Sequence, residues 1–293
     1  MHNSSSIRCL LLYLIASIAL IGCGSTEPEE TLSVDVTSQQ NLETGTLTIL
    51  ANGEDFVRQG FVSKDGWQIA FEQVIVSLAE IAVYQTDPPY DPSGKVSLVN
   101  DADNLAQIQQ VLVEDGLFTV DLAAGDETAE PIAVVTILDA PIGQYNAISW
   151  QMRPDDSGTT ILMQGQASKD ETQIDFTIGV DSDYAYSCGE YVGDVRRGFL
   201  KAGGETTLEI TFHFDHVFGD ADAPMDEALN MGALGFDPLA ALAEEGILDV
   251  NGEILASQLT EDDYNTFVET LYSLGHVGEG HCLESAGGYT GQE

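Results

Sequence analysis

The hydrophobic pattern from residue 44 onward is that of β-strands. In 44–50 (TGTLTIL) apolar and polar residues alternate, and 67–85 is a long run rich in branched residues that stops at the turn-forming sequence TDPPYDPSG. Further strand-like runs lie at 116–122, 131–138, 144–152, 159–168, 172–181 and 198–216. About seven to nine short strands predict a mainly β domain over 44–216, an antiparallel β-sandwich of immunoglobulin-like or similar type. Within it, 101–115 is interpreted as a helical insertion.

Helix signals replace this alternation after residue 216. In 260–275 (TEDDYNTFVETLYSLG), Thr260 and Asp263 have capping-box spacing, and the apolar residues that follow recur with the period of a helix. Asp237 as the N-cap and Pro238 at the first helical position predict a second, shorter helix. The region 217–293 is therefore predicted to be a helical and loop extension docked on the sandwich.

The N-terminus carries a targeting signal. A short segment with Arg8 precedes an apolar run over 10–21, which is too short for a membrane span and is typical of a secretory signal. The run ends in LIGC, which resembles the lipobox of bacterial lipoproteins. The resemblance implies a signal peptide over 1–22, lipidation of Cys23 and a polar, flexible tether over 23–43. It places the protein at the outer membrane, on its periplasmic face or at the cell surface, held to the membrane by the lipid alone.

The targeting signal also limits what the four cysteines can do. Cys9 leaves with the signal peptide and Cys23 carries lipid, so Cys188 and Cys282 remain in an exported, oxidising compartment. A disulfide between these two is the default prediction. The alternative is that Cys282 serves as a metal thiolate ligand.

The charge balance is strongly acidic. The 293 residues include 49 acidic and 9 basic side chains, for a net charge of −40, while 43% of residues are hydrophobic and so can form a folded core. Such a surface repels phosphate, which excludes nucleic acid as a partner and makes an anionic membrane surface a poor one. Metal cations, cationic ligands or a saline habitat fit better. An acidic cell-surface interaction or adhesion module without metal is the main alternative to a metal-binding protein.

The histidines are grouped. Of five in the chain, four lie in two close pairs, His213 with His216 and His276 with His281. In the run LEITFHFDH, His213 and Asp215 share one strand face, and a strand that ends here lets both converge with His216. Imidazole and carboxylate are the usual ligands of divalent transition metals. The pattern predicts a zinc or copper site of the four histidines, with Asp215 as substitute or fifth ligand; the alternative is protonated histidines paired with surface carboxylates.

Two resemblances bear on what such a site does. HFDH is similar to the second half of the His-x-His-x-Asp-His signature of the metallo-β-lactamase family, which implies a zinc-dependent hydrolase, but Thr211 stands where the first histidine belongs. APIGQYNAISWQM followed by DFTIGVD resembles bacterial β-sandwich lipoproteins such as the methanobactin-associated copper-binding group. That resemblance implies periplasmic metal handling with a protein partner in metal transfer, and it assigns no residue. Whether the protein is an enzyme stays open, with a binding role favoured.

Overall fold

The computed structural model describes residues 43–99, 108–189, 198–278 and 280–286. The predicted signal peptide, Cys23 and the tether up to residue 42 lie outside these ranges. The described chain is mainly β, as predicted, with short helices concentrated after residue 212. Within the described ranges, no helix combines the length and the apolar character needed to cross a bilayer.

The strands are β1 Thr44–Asn52, β2 Phe61–Val62, β3 Gln68–Thr86, β4 Ile108–Asp121, β5 Ile132–Pro141, β6 Gly143–Gln144, β7 Ala147–Met152, β8 Ile161–Lys169, β9 Thr172–Val180, β10 Tyr184–Gly189, β11 Phe199–Leu200, β12 Glu205–Phe212, β13 Ile247–Asn251, β14 Gly275–Val277, β15 Gly280–His281 and β16 Leu283–Ala286. The helices are α1 Glu54–Gln59, α2 Asp215–Phe218, α3 Ala228–Gly232, α4 Asp237–Ala240, α5 Gly252–Gln258 and α6 Glu261–Tyr272, with a 3-10 turn at Pro92–Gly94.

Two large sheets and one small one organise the described strands. The nine-stranded sheet has the order β13-β9-β8-β3-β7-β10-β16, with β2 and β4 also on β3, and the five-stranded sheet has the order β15-β14-β12-β1-β5. Strands β6 and β11 form a separate pair. Both large sheets are mixed, because β1 pairs parallel with β12 and β13 pairs parallel with β9. The prediction of a purely antiparallel sandwich is therefore wrong in this respect, since strands far apart in sequence meet side by side.

The main hydrophobic core is built from residues of both large sheets. Alternate residues of β1, namely Leu47, Ile49 and Ala51, are fully buried, which is why this strand alternates in sequence. From the opposite sheet the ring of Trp150 approaches that of Phe212 on β12, with centroids 6.4 Å apart. The end of β12 is thus anchored in the core.

The C-terminal region adds strands as well as helices. Helix α6 begins as predicted, with the Oγ1 atom of Thr260 accepting a hydrogen bond from the Asp263 amide at 3.2 Å. However, β14 and β15 extend the five-stranded sheet, while β13 and β16 form the two ends of the nine-stranded order. The prediction of a purely helical and loop extension over 217–293 misses these strands because they are too short to show a period in the sequence.

Two local predictions are also wrong. The proposed helical insertion over 101–115 is strand β4 from residue 108 onward, because pairing with β3 overrides the local helix preference; 101–107 lie outside the described residues. Asp237 does not cap α4. Its Oδ1 atom accepts hydrogen bonds from Trp67 Nε1 at 2.7 Å and Lys169 Nζ at 2.9 Å, so its carboxylate joins α4 to the nine-stranded sheet.

The predicted disulfide is confirmed. Cys188 at the end of β10 is bonded to Cys282 between β15 and β16, across 94 residues of sequence. Cys282 is therefore not available as a thiolate ligand. The bond joins the nine-stranded sheet directly to the end of the β14–β15 hairpin, which carries the second histidine pair.

Removing the disulfide tests this linkage. The double change Cys188→Ala, Cys282→Ala is expected to lower the free energy of unfolding by about 2–5 kcal/mol, because the unfolded chain gains the freedom of a long loop. Urea denaturation followed by tryptophan fluorescence measures the change. Wild-type protein kept reduced with dithiothreitol should approach the double variant in stability; equal midpoints for oxidised wild type and double variant would contradict a stabilising role.

Candidate metal centre

The site begins where β12 ends. The chain leaves the sheet after Phe212 and turns at once into α2, with the His216 amide donating to the His213 carbonyl at 3.1 Å. Phe214, Val217 and Phe218 are fully buried around this turn. Burial of each such side chain contributes about 1.5–3 kcal/mol, so apolar packing fixes the backbone from which the polar residues project.

His213, Asp215 and His216 meet at this turn. One donor atom from each can be chosen so that all three lie within 4.8 Å of one another, and the Nδ1 atom of His213 lies 4.0 Å from Oδ1 of Asp215. The side chains of His213 and Asp215 are each 10% exposed. The three residues thus form a buried group that could hold a metal ion, as their spacing in sequence predicts.

His276 adjoins this group from the neighbouring strand. On β14 it pairs with Thr211 of β12, and its ring centroid lies 4.3 Å from that of His213 and 5.1 Å from that of His216. The first two histidines have centroids 5.4 Å apart. Around one ion with bonds of about 2.1 Å, imidazole centroids are separated by roughly 4.5–5.2 Å. One of the three separations falls in this range and the other two lie about 0.2 Å outside it, so His276 adjoins the group of His213, Asp215 and His216 at a spacing close to that of fellow ligands.

His281, the fourth predicted ligand, is described only by its backbone. It lies opposite His276 in the β14–β15 hairpin. The position of its side chain lies outside the described part of the structure.

Glycine at position 275 allows β14 to reach this place. A Cβ atom there would lie 2.7 Å from the ring of Tyr186, so β14 passes directly over that ring. Tyr186 in turn stacks on Trp150 with centroids 5.0 Å apart. Burial raises the pKa of Tyr186, whose hydroxyl bonds the Leu271 carbonyl at 3.2 Å, so the ring is a neutral support for the strand that carries His276.

The Ser273 carbonyl orients two of the imidazoles. It lies 2.9 Å from Nδ1 of His216 and 3.0 Å from Nε2 of His276. Because a carbonyl only accepts hydrogen bonds, both of these nitrogens must be the protonated ones. In the neutral ring the lone pair then lies on Nε2 of His216 and on Nδ1 of His276. A backbone carbonyl that fixes the tautomer in this way is the usual partner of metal-binding histidines.

Two buried polar atoms of the group lack a conventional partner. The Nε2 atom of His213 and the Oδ1 atom of Asp215 have no hydrogen-bond partner among the described residues. Leaving a buried polar group unsatisfied costs about 1–3 kcal/mol, and more when it is charged. An ion bound in the group would give the buried Oδ1 atom of Asp215 a partner.

Sequence reasoning misses one neighbour of the group, Glu54. Asn52 at the end of β1 pairs in parallel with Thr211, so the residues two positions further on, Glu54 and His213, leave the sheet together. The Oε2 atom of Glu54 lies 3.6 Å from Nδ1 of His213. The only signal in sequence would have been the parallel pairing of β1 with β12, which no local pattern reveals.

Comparison with protein-family models, with curated proteins and with solved structures finds no match to this chain. Function must therefore be argued from the site itself.

Proposed function

We propose that this is an exported, lipid-anchored protein that binds one divalent transition metal ion, zinc or copper, and acts in metal handling. The observation that carries the proposal is the buried group of His213, Asp215 and His216, with donor atoms within 4.8 Å of one another. His276 is proposed as a further ligand on the spacing of its ring, and His281 on its place opposite His276 in the hairpin.

The energetics of burial support this proposal. A surface histidine pair would be solvated, whereas His213 and Asp215 are nine-tenths buried and each keeps a polar atom without a hydrogen bond among the described residues. Natural folds tolerate such groups when an ion or a functional role compensates for the cost. A divalent cation would satisfy the imidazole lone pairs and the carboxylate together.

The donor set points to a binding or delivery role. Nitrogen and oxygen donors suit zinc and cupric ions, and both mature cysteines are occupied by the disulfide. A site whose coordination positions are all filled by protein ligands holds its ion without an open position, as structural and carrier sites do. A partner protein that receives or supplies the ion is part of this proposal.

Metal content is the direct test. Wild-type protein purified without a histidine tag and incubated with Zn²⁺ or Cu²⁺ is expected to hold about one equivalent by elemental analysis. His213→Ala, Asp215→Asn and His276→Ala should each weaken binding by about 100-fold or more, because each removes a proposed ligand. His281→Ala tests the fourth histidine in the same assay.

The matched control is Asp222→Asn. It removes one negative charge near α2 from an exposed side chain, so it should leave the affinity within about twofold of wild type. Absence of bound metal in the wild-type protein would contradict the proposed metal function and favour the alternative, an acidic cell-surface interaction module.

Binding should also depend on pH. Imidazoles bind metal only in the neutral form, and protons compete for the same lone pairs. We therefore expect the metal-induced rise in melting temperature to be large at pH 7.5 and to vanish as the pH is lowered to 5. Differential scanning calorimetry with and without one equivalent of Zn²⁺ measures it; a rise that persists unchanged at pH 5 would argue against histidine ligands.

Lipid attachment is tested at Cys23. Cells expressing the full chain with radiolabelled palmitate should yield a labelled, membrane-associated protein, and Cys23→Ser should abolish the label and release the protein from the membrane fraction. Cys9→Ser is the control, since Cys9 is proposed to leave with the signal peptide. Label that survives Cys23→Ser would contradict the lipobox interpretation.

A further inference from the structure

We propose that Glu54 is a ligand of the same ion, so that the site carries two carboxylates and takes a divalent ion rather than cuprous copper. This inference rests on the proposed metal function and extends it to a residue 159 positions away from His213 in sequence.

The Glu54 carboxylate lies close to the His213 ring, though not at hydrogen-bond distance. The 3.6 Å between Glu54 Oε2 and His213 Nδ1, like the 4.0 Å from the same nitrogen to Asp215 Oδ1, is longer than a hydrogen bond, which is about 2.7–3.2 Å. Two donors bound at about 2.1 Å to one tetrahedral ion are separated by roughly 3.4 Å. Both carboxylates are thus spaced from the Nδ1 atom of His213 more nearly as ligands of an ion bound at that atom than as hydrogen-bond acceptors.

The backbone of Glu54 has an unusual conformation. Glu54 has a φ of 57°, in the left-handed region that glutamate rarely adopts. Its amide donates to Asn52 Oδ1 at 3.0 Å, and Asn52 Nδ2 donates to Glu209 Oε1 at 3.0 Å, so side chains of β1 and β12 hold this conformation. A non-glycine residue kept in this region costs stability and is concentrated at functional sites. Here the side chain concerned is the one that faces His213.

The chemistry of the donor atoms determines which ion the proposed site prefers. Adding Glu54 to Asp215 and the histidines gives a mixed nitrogen and oxygen set with two negative charges. Soft thiolate and thioether ligands select cuprous copper, whereas carboxylate and imidazole suit divalent ions. Two carboxylates would also neutralise the charge of a divalent ion in this largely buried position. The site is therefore selective for the +2 state.

Three variants separate a ligand from a structural ion pair. Glu54→Gln keeps the shape of the side chain and removes its charge, and it should weaken Zn²⁺ binding by about tenfold or more. It should also change the visible absorption of the Co²⁺-substituted protein, since Co²⁺ spectra report the ligand number. Asp55→Asn, the matched control, removes the same charge from the next, exposed residue and should change neither readout. Glu54→Gly removes the ligand and relieves the backbone, so its metal-free melting temperature should not fall while its affinity does.

The outcomes are distinguishable. Zn²⁺ affinity within twofold of wild type and an unchanged Co²⁺ spectrum in Glu54→Gln would overturn the role of Glu54 and leave the metal site of the other residues standing. Failure of wild-type protein to bind Zn²⁺ or Co²⁺ would overturn the metal function itself, and this inference with it. Tighter binding of cuprous than of zinc ion, measured under reducing conditions against a chromophoric competitor, would overturn the claim of selectivity for the divalent state.

Discussion

The parallel pairing of β1 with β12 is the constraint on which the site depends. Because parallel strands end on the same side of a sheet, Asn52 opposite Thr211 sends the two chains out together, and Glu54 and His213 emerge as neighbours. On the other side of β12, antiparallel β14 places His276 opposite the same Thr211. Three segments that are distant in sequence thus bring polar residues together at the same end of one sheet. A slip of one residue in either register would turn the delivered side chains to the opposite face.

Apolar packing holds this polar arrangement in place. The aromatic residues Phe214 and Phe218 pack on Phe71 of the opposite sheet, each with ring centroids 6.1 Å apart, and so tie the turn to the core. The disulfide holds the far end of the β14–β15 hairpin, and the Ser273 carbonyl fixes two imidazoles. Each of these contacts fixes the orientation of a polar side chain of the group or of the backbone that carries it. The buried polar residues are therefore positioned by the fold itself, which would lower the entropy cost of binding the proposed ion.

The sequence could predict those features of the fold and the site that depend on residues close together in the chain. The spacing of His213, Asp215 and His216 across a strand end predicts their convergence, and the capping residue Thr260 predicts the start of α6. Counting cysteines on the expectation that a signal peptide is removed predicts the disulfide. The mixed sheets, strands β13–β16 and the position of Glu54 beside His213 could not be predicted in this way, because they rest on pairings between distant segments. The same limit explains why 108–115 pairs as a strand although its local composition suits a helix.

In the proposed metal binding, the acidic surface and the buried group would act on different steps. A net charge of −40 raises the local concentration of any cation, and it does so without regard to its identity. Salt screens this attraction over about 8–10 Å, so in a saline habitat it adds encounter rate more than affinity. Selectivity for a transition metal would then come from the imidazole nitrogens at the end of β12, because sodium, magnesium and calcium prefer oxygen ligands. An acidic exterior is thus compatible with a transition-metal site and cannot replace it, because carboxylates at the surface do not discriminate among divalent ions as buried imidazoles do.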